Sequence, residues 1–139
     1  MLRCLAVLLS LGFVLSACAF VPTAQVAVTR AAIPQSLVTQ AQGDLRNMMK
    51  DPESAKFRNA VTYRSALGDQ IICGEYDARN GFGGYSGYET YYYRFRAGAL
   101  LFKWIDSNGS EYFKPAGEAC RQATAGVIAL PASQVPGTT

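Results

Sequence analysis

The chain has 139 residues, 13 Lys and Arg against 10 Asp and Glu, four cysteines and no histidine, enough for one small domain with appendages and too little for two. The lack of histidine removes the usual general base, the Ser-His and Cys-His nucleophile pairs and the commonest zinc ligand. A formal net charge of +3 is too small for a nucleic-acid footprint, so no nucleic-acid partner is expected.

The N-terminus reads as an address. Met1 to Cys4 contains Arg3, and residues 5–15 (LAVLLSLGFVL) form an apolar run, the length of a secretory h-region and too short to span a bilayer. Residues 1–17 are therefore expected to be a signal peptide. The run ends in Leu15-Ser16-Ala17-Cys18, which resembles the bacterial lipobox. That resemblance implies cleavage before Cys18, lipid on its thiol and usually an amide-linked third acyl chain such as palmitate. Two or three chains anchor a protein firmly, since each buried methylene contributes about 0.8 kcal/mol. Ala19 after the lipid-bearing Cys18, rather than Asp, implies delivery to the outer membrane, facing the periplasm. The alternative is ordinary secretory cleavage, which would leave Cys18 a free thiol.

Residues 18–33 show no clear period and read as a tether. From Pro34, the apolar positions Leu37, Val38, Ala41, Leu45, Met48 and Met49 recur at helical spacing, which predicts an amphipathic helix over about 34–50. Asp51-Pro52-Glu53-Ser54 offers an N-cap, a first-position proline and an acid near the positive helix end, hence one turn aiming Phe57 inward. The β-rich runs 60–63 and 70–76 flank a polar turn with Gly68 and Asp69, a hairpin signature. Residues 88–96 and 99–105 form a second strand pair around Gly98. Asn108-Gly109 is a strong hairpin signal, with a last short strand expected over 111–113. Residues 115–125 have helical composition, and 127–139 read as a flexible tail. The order implies an α+β fold with four or five antiparallel strands and both helices on one sheet face, as a small domain over 34–126.

Cys4 falls in the signal peptide and Cys18 takes lipid, which leaves Cys73 and Cys120. An even pair in an oxidising envelope predicts a disulfide that pins the C-terminal helix to the sheet. It would close a loop of about 48 residues and contribute roughly 4 kcal/mol. The redox-active alternative lacks the C-x-x-C spacing.

Two stretches carry a family resemblance: residues 51–59 (DPESAKFRN) and 73–88 (CGEYDARNGFGGYSGY). They resemble a group of small bacterial secreted or lipid-anchored proteins with D-P-x-S-A-x-F-R-N followed by C-G-x-x-N-x-x-N-x-x-G-G-Y-x-G. Asp77 stands where the group has Asn, and Arg79 where it has Lys. The resemblance implies a fold and a compartment and brings no reaction with it.

Chemistry candidates are few. The glycine-rich stretch 80–87 has neither the G-K-[ST] of a phosphate loop nor the strand-loop-helix setting of a dinucleotide fingerprint, so no cofactor is expected. Metal binding is disfavoured with no histidine and both domain thiols oxidised. Glu75 and Asp77 lie two apart on one strand, a spacing open to glycoside hydrolysis, although Arg79, Arg94 and Arg96 offer them ion pairs instead. Tyr85, Tyr88, Tyr91, Tyr92 and Tyr93 are five of the chain's eight tyrosines. Tyr and Arg are interface residues, so this run is the candidate contact patch, with ordinary sheet surface as its alternative. Only one of the two strand faces, Tyr91/Tyr93/Phe95 or Tyr92/Arg94/Arg96, is expected to fill the core.

The expectation is a non-enzymatic, lipid-anchored envelope protein that binds another envelope component, whether a protein assembly, peptidoglycan or a foreign enzyme held off as lysozyme inhibitors do. The alternatives are a cell-wall glycan-acting enzyme using Glu75 and Asp77, and a purely structural lipoprotein.

Overall fold

The structure, a computed structural model, describes residues 21–109 and 112–137. The signal peptide, the lipobox and Cys18 lie outside the described residues. The elements in order are β1 (Thr23–Arg30), α1 (Gln35–Asn47), a single 3-10 turn (Pro52–Ser54), β2 (Lys56–Ser65), β3 (Gln70–Asp77), β4 (Glu89–Arg96), β5 (Ala99–Ile105), α2 (Pro115–Thr124), β6 (Val127–Pro131) and a closing 3-10 turn (Ala132–Gln134). The α+β class, both helices, the turn at Pro52 and the strand pairs around Gly68 and Gly98 follow the sequence.

The sheet has six antiparallel strands in the order β5-β4-β3-β2-β1-β6, so four or five was an undercount. Both missed strands come from segments expected to be loose. The tether contains β1 and the tail contains β6, and they pair with each other, Val26 opposite Ile128. Val26, Val28, Ile128 and Leu130 are buried; each end alone exposes too few apolar residues to reveal a strand. No strand forms at Tyr112 or Phe113, and Asn108-Gly109 makes a turn that leads into α2.

The helices lie on opposite faces, not on one. Leu37, Val38, Ala41 and Leu45 of α1 cover Ile72, Tyr76, Tyr91, Tyr93 and Phe95. Ala116 and Ala123 of α2 lie with Ile71, Cys73, Tyr92, Val26, Val28, Ile128 and Leu130. Alternation sends successive β3 and β4 side chains to opposite faces, so a sheet covered twice uses both sets. Tyr92 on β4 shares a core with Ile128 and Leu130 on β6, although three strands separate β4 from β6. The sheet must curl to bring them together, with α2 on its concave side.

Two devices fix α2. Asp106, 2 % exposed, accepts hydrogen bonds from the backbone N–H of Ala116 and of Gly117, both at 2.9 Å, the interaction that best suits a helix N-terminus. Cys73 of β3 and Cys120 of α2 form a disulfide with Cα atoms 5.7 Å apart, as the cysteine count implied.

Candidate functional site

The two family-like stretches pack against each other, and the geometry explains most of their residues. Lys56, Phe57 and Arg58 pair with Asp77, Tyr76 and Glu75 across β2 and β3. Ser54 donates to the Asp51 carbonyl and accepts from the Arg79 N–H, both at 2.8 Å. The register slips between Arg58 and Val61, and Asn59 sits there at φ 54°, a left-handed conformation that Asn tolerates better than most residues. Its amide donates to Glu75 at 2.6 Å. Gly74 faces Tyr91, and a Cβ on it would lie 2.4 Å from the tyrosine oxygen; only glycine admits that ring.

Glu75 is held as a paired carboxylate and is not set up as a general acid. Glu75 accepts from Asn59 and from Arg58 Nε at 2.6 and 2.9 Å. These hydrogen bonds, with the charge of Arg58, hold its pKa below the usual carboxylate range against a smaller opposing effect of burial. A general acid needs the opposite shift. Asp77 is buried. Glu75 is ion-paired with Arg58, whereas the three arginines expected to serve the pair go elsewhere, Arg79 to Asp51 and Arg94 and Arg96 to Asp69.

The glycine-rich loop closes on itself. Asn80 Oδ1 accepts from the N–H of Phe82 and of Gly84, and the Gly83 N–H donates to the Asn80 carbonyl. These amides are spent on the loop's own turn and do not converge on an outside anion. Among the described residues no group of three or more His, Cys, Asp or Glu could hold a metal, and no helix is long and apolar enough to cross a membrane.

The five tyrosines separate. Tyr91 and Tyr93 are fully buried and Tyr92 is 3 % exposed, so the expected contact patch is corrected: these three are core. Tyr91 meets Phe57 and Tyr93 edge-on at 6.1 and 6.0 Å, and Tyr93 donates to Asp44 at 2.6 Å. Burial raises the pKa of Tyr92, pushing it up to about 12. The run misled because β4 is covered on both faces, so neither of its alternating sets is left for solvent. Tyr85 and Tyr88 stay at the surface, each under a cation: Lys56 Nζ lies 4.0 Å from the Tyr85 ring and the Arg58 guanidinium 3.5 Å from that of Tyr88. The Tyr85 hydroxyl donates to the Ser54 carbonyl. These contacts tie the loop to β2.

A stronger candidate lies on β5, which the sequence marked as a strand and nothing more. β5 is a sheet edge, yet Leu100, Leu101, Phe102 and Trp104 are 37–44 % exposed. An edge strand of this composition invites association. Phe102 and Trp104 pair with Arg94 and Tyr92, hence share their concave face, and the two rings meet edge-on at 4.9 Å. Phe113 extends the aromatic row, 6.3 Å from Trp104. Between this row and the α2 and β6 side chains runs a groove of about 330 Å³, lined by Tyr92, Phe102, Trp104, Ala119, Ile128, Leu130 and Pro131, with Arg94, Gln122 and Gln134 as its polar members. A mostly apolar concavity with a few polar groups is the usual form of a small-molecule site.

Arg94 is the unusual member. It is 3 % exposed, and its carboxylate partner is shared. Buried Asp69 receives Arg96 Nε at 2.6 Å and Arg96 Nη2 at 3.2 Å, but Arg94 Nη1 only at 3.5 Å. Arg94 Nη2 donates to the neutral amide oxygen of Gln134, and Arg94 Nε, also buried, has no hydrogen-bond partner among the described residues. The available sequence signal was a strand with apolar residues at both alternating sets of positions and the chain's single tryptophan. What it could not reveal is that the curl brings β6 and Gln134 opposite them. Comparison with protein-family models, with curated proteins and with solved structures finds no match for this chain.

Proposed function

We propose that this protein is a lipid-anchored component of the bacterial cell envelope, attached at the outer membrane through Cys18, and that it works as a non-catalytic binding module. The observation that carries the binding role is the β5 groove, an exposed aromatic row on a sheet edge backed by a buried, incompletely paired arginine. The contact surface is therefore assigned to β5 instead of the β4 tyrosines. The lipobox-like Leu15-Ser16-Ala17-Cys18 supports the anchor, and the likeness of residues 51–59 and 73–88 to small secreted and lipid-anchored proteins supports the compartment. A disulfide between Cys73 and Cys120 suits an oxidising periplasm.

The test combines fractionation with capture. Cys18→Ser should abolish lipid labelling and processing at that site. Wild type, cross-linked in cells and purified, should carry an envelope component that is lost in Trp104→Ser but kept in Tyr88→Ser. Unchanged lipid labelling in Cys18→Ser would refute the anchor, and equal capture by Trp104→Ser would refute the β5 surface.

A further inference from the structure

We infer that the β5 groove binds an anionic amphiphile, its head group on Arg94 and its apolar body along Phe102 and Trp104; this rests on the reading of the groove as the binding surface. Charge comes first. Two guanidiniums, Arg94 and Arg96, meet one carboxylate, Asp69, and Arg96 takes both of its oxygens at closer range. Arginine keeps its charge under all ordinary conditions. A guanidinium withdrawn from water and bonded mainly to an amide is costly unless a second anion reaches it. Gln134 Oε1 now takes the Nη2 donor, and the neighbouring Nε is unpartnered among the described residues. A carboxylate or phosphate oxygen at this end of the groove that displaced Gln134 Oε1 would give Nη2 a charged acceptor, and these are the acceptors that best match the guanidinium fork.

The walls say what else the ligand carries. Phe102, Trp104, Ile128 and Leu130 are apolar, and the groove of about 330 Å³ falls within the range of small-molecule sites. The Ala129 N–H, a donor that an added peptide strand could have used, already donates to Gln122. The groove thus offers surface to an acyl or other hydrocarbon body, with the charged interaction at one end.

Trp104, the single tryptophan, reports on the groove from inside it. The chain from Ala19 to Thr139, which contains all six strands, both helices and the disulfide, is titrated with dodecanoate and with dodecanol while Trp104 emission is followed. Dodecanoate should shift the emission to the blue, saturating at one site per chain, and bind about tenfold more tightly than dodecanol, the worth of one charge-assisted contact. Gln134→Glu places a competing carboxylate on Arg94 from an exposed position. It should weaken dodecanoate about tenfold and leave dodecanol unchanged, and dodecyl phosphate should follow dodecanoate. Arg94→Gln, where it folds, should erase the preference. Equal affinity for the two probes in wild type, or indifference of dodecanoate to Gln134→Glu, would overturn the assignment. If neither probe perturbs Trp104 while Trp104-dependent capture in cells persists, the amphiphile is wrong and the binding module stands; loss of both would sink both. Concentration-dependent dimerisation abolished by Trp104→Lys would give the face to a second copy and likewise overturn the amphiphile.

Discussion

Gly74→Ala is the sharpest test of how β3 and β4 fit together. The added methyl would sit 2.4, 2.5 and 2.8 Å from Oη, Cζ and Cε1 of Tyr91, where carbon contacts settle near 3.5–4.0 Å. The ring would have to retreat by about 1 Å. It has nowhere to go: Tyr91 is fully buried, between Phe57 and Tyr93, with Gln42 at its hydroxyl. Overpacking of this kind costs about 1–3 kcal/mol, and a pinned ring belongs at the upper end. Reduced entropy of the unfolded chain returns about 0.4–1 kcal/mol. The net expectation is a loss of about 2 kcal/mol, or a fall in Tm of roughly 6–12 °C for a domain of this size. Urea and thermal unfolding of Gly74→Ala, Tyr91→Ala and the double variant form a cycle. Tyr91→Ala alone should cost about 3–5 kcal/mol, and the double variant should be more stable than the sum of the two losses by about 1–2 kcal/mol, because the new methyl enters the space the ring left. Additive losses, or a Gly74→Ala protein as stable as wild type, would refute the packing argument.

Other perturbations have directions set by the structure. The Cys73–Cys120 bond separates residues 47 apart in sequence, for which loop entropy gives about 4 kcal/mol; Cys73→Ser/Cys120→Ser should unfold roughly 15 °C lower, and a Tm insensitive to reductant would contradict the bond. Ala97, at φ 47° in the turn between β4 and β5, holds a conformation costing about 1–2 kcal/mol for a residue with a Cβ. Ala97→Gly should therefore raise stability by up to about 1 kcal/mol, measured by urea unfolding, and a loss would count against the turn. Glu75 has a folded pKa below its ordinary 4.5, so its contribution is complete above that value and disappears as pH falls through the folded pKa. Glu75→Gln should be less stable than wild type near neutrality, and the gap should narrow in acid; a gap that widens below about pH 4 would contradict the assigned hydrogen bonds.

Legibility followed locality. The α1 periodicity, the Asp51-Pro52 turn and the Gly68 and Gly98 hairpins depend on neighbours in sequence, and all could be read from it. The pair β1 and β6 could not, because Val26 and Ile128 meet from opposite ends of the described residues and each strand turns few large apolar side chains inward, Val26 and Val28 against Ile128 and Leu130. The placement of both helices on one face fails for a related reason: only one of the two alternating β4 sets is expected to fill a core, whereas Tyr92 and Ile71 lie in a second one beside α2. The same error produced the tyrosine patch. A run such as residues 91–95 alternates between two faces, and it is exposed only if one face is bare; α1 and α2 cover both. The disulfide was legible by counting thiols. Asn59 and Gly74 were visible as motif letters, but the reasons for them, a left-handed bulge and a ring lying over a backbone, exist only in three dimensions. The β5 groove depends wholly on the curl, which brings Gln134 to Arg94.

The central claim is that this protein meets its partner through β5. It is tested most directly by incorporating a photo-crosslinking phenylalanine analogue at Phe102 or, separately, at Phe82, the 99 % exposed tip of the glycine-rich loop, and irradiating cells that express the full chain. Mass spectrometry of the purified protein should find a defined adduct, lipid or protein, at residue 102 and none of comparable yield at residue 82. Adducts from residue 82 alone, or from both positions alike, would contradict the assignment of β5 as the binding surface.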